Sequence, residues 1–375
     1  MWSSLHPGVP RGSREVSQRE RAPTPGSVST HARWRRAEGL GGLSLEDINE
    51  IQLLLRGHSV VDWHRLAFTD EAEVRLLLAL NCINLDDPQD CERLREVRLQ
   101  AVRYITEVLK IRLDERIAST LPWLQLPLIA SGKSGGAQRQ ACMLLKVMHI
   151  IYHLDARELR TTLAVSDNQI FSLVEENVTL MVDALRTAGV SIVEFSWSRK
   201  TKESLITKML SKRETNAARV FDRLRFRLIV RERSDLVPAL HIMLRRCIPF
   251  NYVVPGQTVN TLIDLDRLTS SAPEEAFAAQ TEVDGAETNE FSGAGFKILN
   301  FIADLPVRVG DLLLPEDRRA QGRGNVVFVL AEFQVLDRRT AESNEQGENS
   351  HAQYKHRQHQ HVRVRLLREP RHNGR

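Results

Sequence analysis

The 375-residue chain has only four cysteines, Cys82, Cys91, Cys142 and Cys247, and no two of them form a Cys-x-x-Cys pair. That excludes a cysteine-based zinc site and a disulfide framework. Reduced, mostly buried thiols in a cytoplasmic protein are expected instead. No apolar stretch approaches the length of a membrane span. The Arg-bearing N-terminus lacks the apolar core of a secretory signal. There is no internal repeat of fixed period. Charge of one sign is also missing: 52 basic against 48 acidic residues leave a net +4. So mild an excess points to no DNA partner. Gly132-Lys133-Ser134 superficially resembles a phosphate loop, but Pro127 stands where the pattern needs its first glycine. A flexible loop is expected there.

Residues 1–40 are rich in Pro, Ser, Gly and Arg without periodic apolar positions. They read as a disordered segment or an over-long translation start. Ser44-Leu45-Glu46-Asp47 has the form of a capping box before an apolar run through Leu55. Four further stretches, Asp70–Leu85, Asp90–Lys110, Gln138–His153 and Ser166–Ala188, carry apolar residues at helical spacing. Ser166 is the expected N-cap of the last one. Residues 41–190 therefore form a helical domain.

After Ser191 the texture changes. Val193–Trp197 reads as a short strand or a helix entry. Leu224–Val230, Tyr252–Val254, Phe296–Leu305 and Asn325–Leu336 are β-branched or aromatic-rich and bounded by turn residues, so they read as strands. Ser234–Cys247 reads as a helix, and Pro255-Gly256 as a type II turn. Residues 270–292 are acidic and small and read as a flexible loop. His356–Arg375 is basic and His-rich, and a solvated tail is expected from residue 357 on. The fold class is α+β: an N-terminal helical region, then a mixed β-sheet flanked by helices over 191–356.

The most informative stretch runs from Lys200 to Val230. On a helix, Lys200, Ser204, Lys208 and Lys212 share one face, with no carboxylate at that spacing to neutralise it. Such a face suits a polyphosphate, although a solvated surface helix presents the same pattern. Asp222 then opens an apolar strand. A carboxylate beside a phosphate-binding face suits magnesium-assisted phosphoryl transfer. Capping the strand, or pairing with Arg223 or Arg225, is the plainer role for Asp222.

These residues carry a resemblance. Lys200, Ser204, Lys208, Asp222 and Arg227 match the basic motif and following strand of RelA/SpoT-type alarmone synthetases. Gly295-Phe296-Lys297-Ile298-Leu299-Asn300 is similar to that family's Gly-Tyr-Arg-Ser-x-His strand. Ala331-Glu332-Phe333-Gln334-Val335 is similar to its Glu-x-Gln strand, and Tyr354-Lys355 to the Tyr-Lys pair of its closing helix. The four pieces fall in order over residues 190–356. The resemblance implies a nucleotidyltransferase-like fold and pyrophosphate transfer from ATP to GDP, GTP or another 3′-hydroxyl such as an RNA 3′ end. It implies Asp222 and Glu332 as catalytic residues holding Mg2+. It implies Lys200, Ser204, Lys208, Arg227, Phe296, Lys297, Gln334, Tyr354 and Lys355 as nucleotide contacts.

The acceptor side departs from the family. Phe296 keeps a stacking face without the hydroxyl, Lys297 lacks the guanidinium fork, and Ile298 and Asn300 replace Ser and His. The leading Arg of the basic motif falls on Ser198, with Arg199 one residue away. The helical region lacks the His-Asp pair of an alarmone hydrolase, since His153-Leu154-Asp155 is not that motif. Two readings stay open: a Mg2+-dependent pyrophosphotransferase, and a non-catalytic regulatory module of the same fold that binds nucleotide or RNA. An oligomer is compatible with either.

Overall fold

A computed structural model describes residues 43, 45–56, 63, 66, 68–133, 135–211, 223–264, 268, 291, 293, 295–312 and 324–367. Asp222, Lys212, Ser44, all of 1–42 and all of 270–292 except Phe291 lie outside them, as do the expectations placed there. The described residues belong to one compact unit.

Helices dominate the first half. They are α1 (Leu45–Arg56), α2 (Glu71–Leu80), α3 (Pro88–Arg103), α4 (Gln125–Ser131), α5 (Gly136–Thr162) and α6 (Asp167–Thr187). Local chemistry sets their starts. Asp70 caps α2, Asp87 caps α3 ahead of Pro88, and Ser166 with Gln169 closes a reciprocal capping box on α6. α5 runs nine residues beyond the expected His153, because no Gly or Pro interrupts it before Leu163.

The second half supplies a five-stranded mixed sheet: β1 (Ile192–Arg199), β2 (Leu224–Val230), β3 (Val259–Asn260), β4 (Leu299–Arg308) and β5 (Val326–Asp337). The spatial order is β1-β2-β5-β4-β3. β2 and β5 are parallel, and the other pairs are antiparallel. Further helices are α7 (Lys202–Ser211), α8 (Leu236–Arg246), α9 (Arg338–Asn344) and α10 (His351–Leu367). The architecture is thus a mixed sheet flanked by helices and preceded by a helical region.

Alternation along the strands divides the sheet's two faces. Leu224, Phe226, Leu228 and Val230 of β2 point into the main core with Ala331, Phe333 and Val335 of β5 and with Leu299 and Phe301 of β4. Phe195, Phe226, Phe333 and Phe301 stack in a row across four strands, at 6.3, 5.3 and 5.3 Å between successive rings. Each buried phenyl contributes about 1.5–3 kcal/mol. The opposite face carries Arg225, Arg227, Glu332, Gln334, Asn300 and Ile302.

Three expectations are corrected. Tyr252–Val254 is not a strand: a 3-10 turn over Phe250–Tyr252 leads to one bridge, Val253 to Ala303. The basic helix begins at Lys202, so Lys200 is not on it; the Lys200 N–H donates to the Arg223 carbonyl at 2.9 Å and extends the β1–β2 ladder. Residues 357–367 are not a solvated tail but most of α10, which buries Gln358 and Val362. Val193–Trp197 resolves as strand. Gly256, at φ +69°, takes the left-handed position of the expected type II turn, closed by Gln257 N–H to the Val254 carbonyl.

Candidate functional site

The second face of the sheet has hydrophobic ends and a polar middle. At one end Tyr152 and Ala156 of α5 pack with Tyr252 on Phe328. At the other, Ile229, Ile298 and Leu336 pack against Ala341 of α9, with Val259 and Phe296 beside them. Between these clusters lie two rows of polar side chains set by the strand register. One row is Ser198, Arg225, Glu332; the other is Ser196, Arg227, Gln334, Asn300.

Glu332 is the centre of the first row. Its side chain is 8% exposed, and its Oε2 accepts from Arg225 Nε at 2.7 Å. Its Oε1 accepts from Gln334 Nε2 at 3.1 Å. Both carboxylate oxygens therefore have protein donors.

The second row is the less satisfied one. Arg227 reaches Glu345, beyond α9, only at 3.5 Å, and its Nε is buried without a hydrogen-bond partner. Asn300, on the far side of Gln334, has a buried Oδ1 that likewise lacks one. A buried donor or acceptor left unmade costs about 1–3 kcal/mol. Two of them flank one residue, Gln334, where a water or a bound molecule would complete the hydrogen bonding.

The surroundings are cationic. Desolvation lowers the His351 pKa first, and then the positive charges of Lys355, Arg225 and Arg227 lower it further, with Glu345 opposing. The first turn of α10, which carries His351, Tyr354 and Lys355, thus lies in the field of the two strand arginines. Tyr354 stacks on His351 at 6.2 Å and meets Phe291 edge-on at 6.3 Å. α10 packs along α7: Gln358 Nε2 donates to Ser211 Oγ at 3.3 Å, and Arg365 to the Leu210 carbonyl at 2.6 Å. Lys208 is on that same α7. The Ser204 N–H donates to Thr201 Oγ1 at 3.3 Å, and Thr201 Oγ1 donates to Ser204 Oγ at 3.2 Å, so Thr201 and Ser204 form the start of the helix.

The expected strand start at Phe296 is not observed, since β4 begins at Leu299; the Phe296–Lys297 segment before it is held from α9. Asn344 accepts from the Lys297 N–H at 3.1 Å and donates to its carbonyl at 2.6 Å. Phe296 packs against the Ile229 cluster. Arg199 points away, onto α6, where it holds both oxygens of Glu175 at 2.7 and 2.8 Å. Arg223 pairs with Asp167 at 2.7 Å. Neither arginine is directed at the polar rows.

The structure therefore brings Arg227, Glu332 and Gln334 together on one face, with Lys355 and Tyr354 at its margin. It puts Lys200 at the end of β1, Ser204 and Lys208 on α7, and Phe296 and Lys297 beside the apolar end. Sequence reasoning missed Arg225 as a site residue and noted Asn300 only as a departure. The signal for Arg225 was present: Arg223, Arg225 and Arg227 alternate with apolar residues, which puts the last two on the open face.

Of the two residues expected to hold magnesium, Asp222 lies outside the described residues, and Glu332 accepts from Arg225 and Gln334 while its oxygens keep further lone pairs. Among the described residues no group of three or more His, Cys, Asp or Glu side chains could hold a metal ion.

No protein-family description and no curated protein matches the chain by sequence. Among solved structures it is similar to small alarmone synthetase 1 from Bacillus subtilis bound to its product pppGpp, at 13% identity and a TM-score of 0.29, over 52% of this chain and 85% of that one. It is similar to small alarmone synthetase 2 from Bacillus subtilis at 12% identity and a TM-score of 0.26, over 59% and 98%. It is also similar to a GTP pyrophosphokinase family protein from Streptococcus pneumoniae, at 14% and 0.27, over 52% and 83%. Likeness at these values carries nothing about the chemistry of this chain. Among the described residues no helix is long and apolar enough to cross a membrane.

Proposed function

We propose that the polar face of β2, β5 and β4 binds a nucleoside polyphosphate. The observation that supports this reading is the pair of buried, unpartnered atoms, Arg227 Nε and Asn300 Oδ1, on either side of Gln334. A guanidinium donor suits a phosphate oxygen, and an amide oxygen suits a base or ribose donor. Arg225 and Lys355 border the same rows and favour an anion. ATP and guanine nucleotides are the ligands to try first, with an RNA 3′ end as the larger alternative. Calorimetric titration of ATP, GDP, GTP and a short RNA tests it. Arg227→Gln and Asn300→Leu are each expected to weaken binding at least tenfold. Equal binding by wild type and both variants, or no binding by wild type, refutes the proposal.

Pyrophosphate transfer is the second reading, supported by Arg227, Glu332 and Gln334 meeting on one face in the order the resemblance implies. The acceptor 3′-oxygen would attack the β-phosphorus of ATP and form a new O–P bond. The bond from that phosphorus to the α,β-bridging oxygen would break, AMP would leave, and the hydroxyl proton would pass to a base. Glu332 is the carboxylate on this face that would take that proton. Labelled ATP with GDP, GTP and tRNA, with and without magnesium and beside Asp222→Asn, decides between transferase and binding module. Label in no acceptor, or equal transfer by the variant, removes the transferase reading.

A further inference from the structure

We propose that the outer edge of β1 pairs with β1 of a second copy of this chain, antiparallel about a two-fold axis at Trp197, so that the two sheets become one. The pairing does not depend on the nucleotide reading above.

β1 is an edge strand with β2 as its neighbour in the sheet. One bond fixes which of its main-chain groups face outward. The Lys200 N–H donates to the Arg223 carbonyl at 2.9 Å, continuing the register that sets Arg199 on Leu224. Antiparallel strands alternate bonded and unbonded pairs. Ser198 and Ser196 therefore turn their N–H and C=O toward β2, while Phe195 and Trp197 turn theirs to the open edge. Among the described residues no partner reaches those outward groups. The Trp197 side chain is 49% exposed. Neither proline nor lysine interrupts Val193–Arg199, and the one bulge lies before Glu194. An aromatic edge left open in this way is a template for another strand.

Self-complementarity points to a second copy. The regular stretch runs from Glu194, just past the bulge, to Lys200, where the ladder ends, and Trp197 is its midpoint. Folded onto itself about that midpoint, the strand sets Trp197 on Trp197, Phe195 on Arg199, Ser196 on Ser198 and Glu194 on Lys200. Outward groups meet outward groups, and each Glu194 faces the opposite charge, so no like charges meet. Cross-strand aromatic and opposite-charge pairs are both favourable. Glu194 is exposed, and its Oε1 accepts from Ser196 Oγ at 3.2 Å. The pairing also has a consequence for the polar face. The row Asn300, Gln334, Arg227, Ser196 of one copy would continue into Ser198, Arg225 and Glu332 of the other.

Sedimentation velocity of the full chain over a concentration series tests the assembly. Wild type is expected to dimerise. Trp197→Pro removes an N–H that faces outward, so the β1–β2 ladder is kept, and its dimer should be at least tenfold weaker with an unchanged circular dichroism spectrum. Glu194→Lys and Lys200→Glu should each weaken the dimer about tenfold, and the double variant should recover it. Cysteine cross-linking reads the register. Ser196 and Ser198 of the two copies form an unbonded pair with Cα atoms about 4.5 Å apart, within disulfide range. Oxidation of Ser196→Cys mixed with Ser198→Cys should therefore give a covalent dimer, and either protein alone far less. The charge swap and the cross-link carry the test if Trp197→Pro is unfolded. A monomeric wild type overturns the proposal and leaves the edge to a strand of a different protein. A dimer that Trp197→Pro leaves intact, a charge swap that fails to recover, or a mixture that does not cross-link also overturns it.

Discussion

His149 and His241 are both held neutral by burial. Desolvation pushes His149 down to about 4, with His153 adding to it. Desolvation does the same to His241, to about 4, against the opposing pull of Asp47. Unfolded, both return to about 6.5. Between pH 6.5 and 4 the unfolded chain binds two protons that the native chain refuses, so acid destabilises the fold in that window. Glu50 acts in the other direction. Burial raises it to about 7 despite Arg245, so the native chain keeps a proton that the unfolded one has released, and that contribution is lost as pH rises from about 4.5 through 7. Two histidines outweigh one glutamate, for a net slope of about 1.4 kcal/mol per pH unit at most. Urea midpoints measured from pH 6.5 to 4.5 are expected to fall, more steeply in Glu50→Gln and less steeply in His241→Gln. A midpoint independent of pH over that range would contradict the assignment. At this scale the candidate site was half legible. Glu332, Gln334 and Arg227 were picked out by the resemblance. Alternation puts Arg225 on the same face, but its pairing with Glu332 was not legible, because it depends on which strand lies beside β2, and that strand is about a hundred residues away.

Among the elements, the strands were the most readable and α10 the least. Alternation in β2, β4 and β5 survives because one face of each must enter a core. α10 reads as a tail because it has few apolar residues, and it stays in place through Gln358 against Ser211, Arg365 against the Leu210 carbonyl and Arg357 against the Phe291 carbonyl. A chain ending at Ser350 should therefore lose amide protection in α7, seen by hydrogen exchange, while β2 and β5 keep theirs. Unchanged protection in α7 would show that α10 does not support it. The segment before β4 depends on a close approach: a Cβ on Gly293 would lie 2.2 Å from Asn349 Oδ1 and 3.0 Å from the Glu348 carbonyl. Gly293→Ala should cost about 1–3 kcal/mol and displace the Phe296–Lys297 segment that leads into β4. Nucleotide affinity should drop with the melting temperature, whereas wild-type values for both would mean that the 348–349 backbone yields freely.

For the whole molecule, the division into a helical and a sheet region does not divide the core. One hydrophobic cluster joins Ile51, Leu144, Leu159 and Leu185 of the helices to Phe226, Phe301 and Phe333 of the sheet. Polar ties cross as well. His153 Nε2 and Asp304 Oδ2 are 2.6 Å apart, Arg308 holds Asp90 at 2.6 Å, and Asn251 donates to Asn81 at 2.9 Å. Unfolding is therefore expected to be one transition, with near-ultraviolet and far-ultraviolet signals coincident in urea. Two separated transitions would mean that the regions are stable apart. Asp304→Ala should lower the unfolding free energy by roughly 1–3 kcal/mol, moving the midpoint down without splitting the transition.

By itself the sequence determined what is local. Helix starts follow from Asp70, Asp87 and Ser166, the turn from Pro255-Gly256, and the strand faces from alternation, because each depends on residues a few positions apart. Only the tertiary structure decided which strands are neighbours. Setting β2 parallel to β5 placed Arg225 on Glu332 and left Arg227 Nε and Asn300 Oδ1 without a partner on either side of Gln334. Those contacts join residues about a hundred positions apart, and no spacing along the chain encodes them.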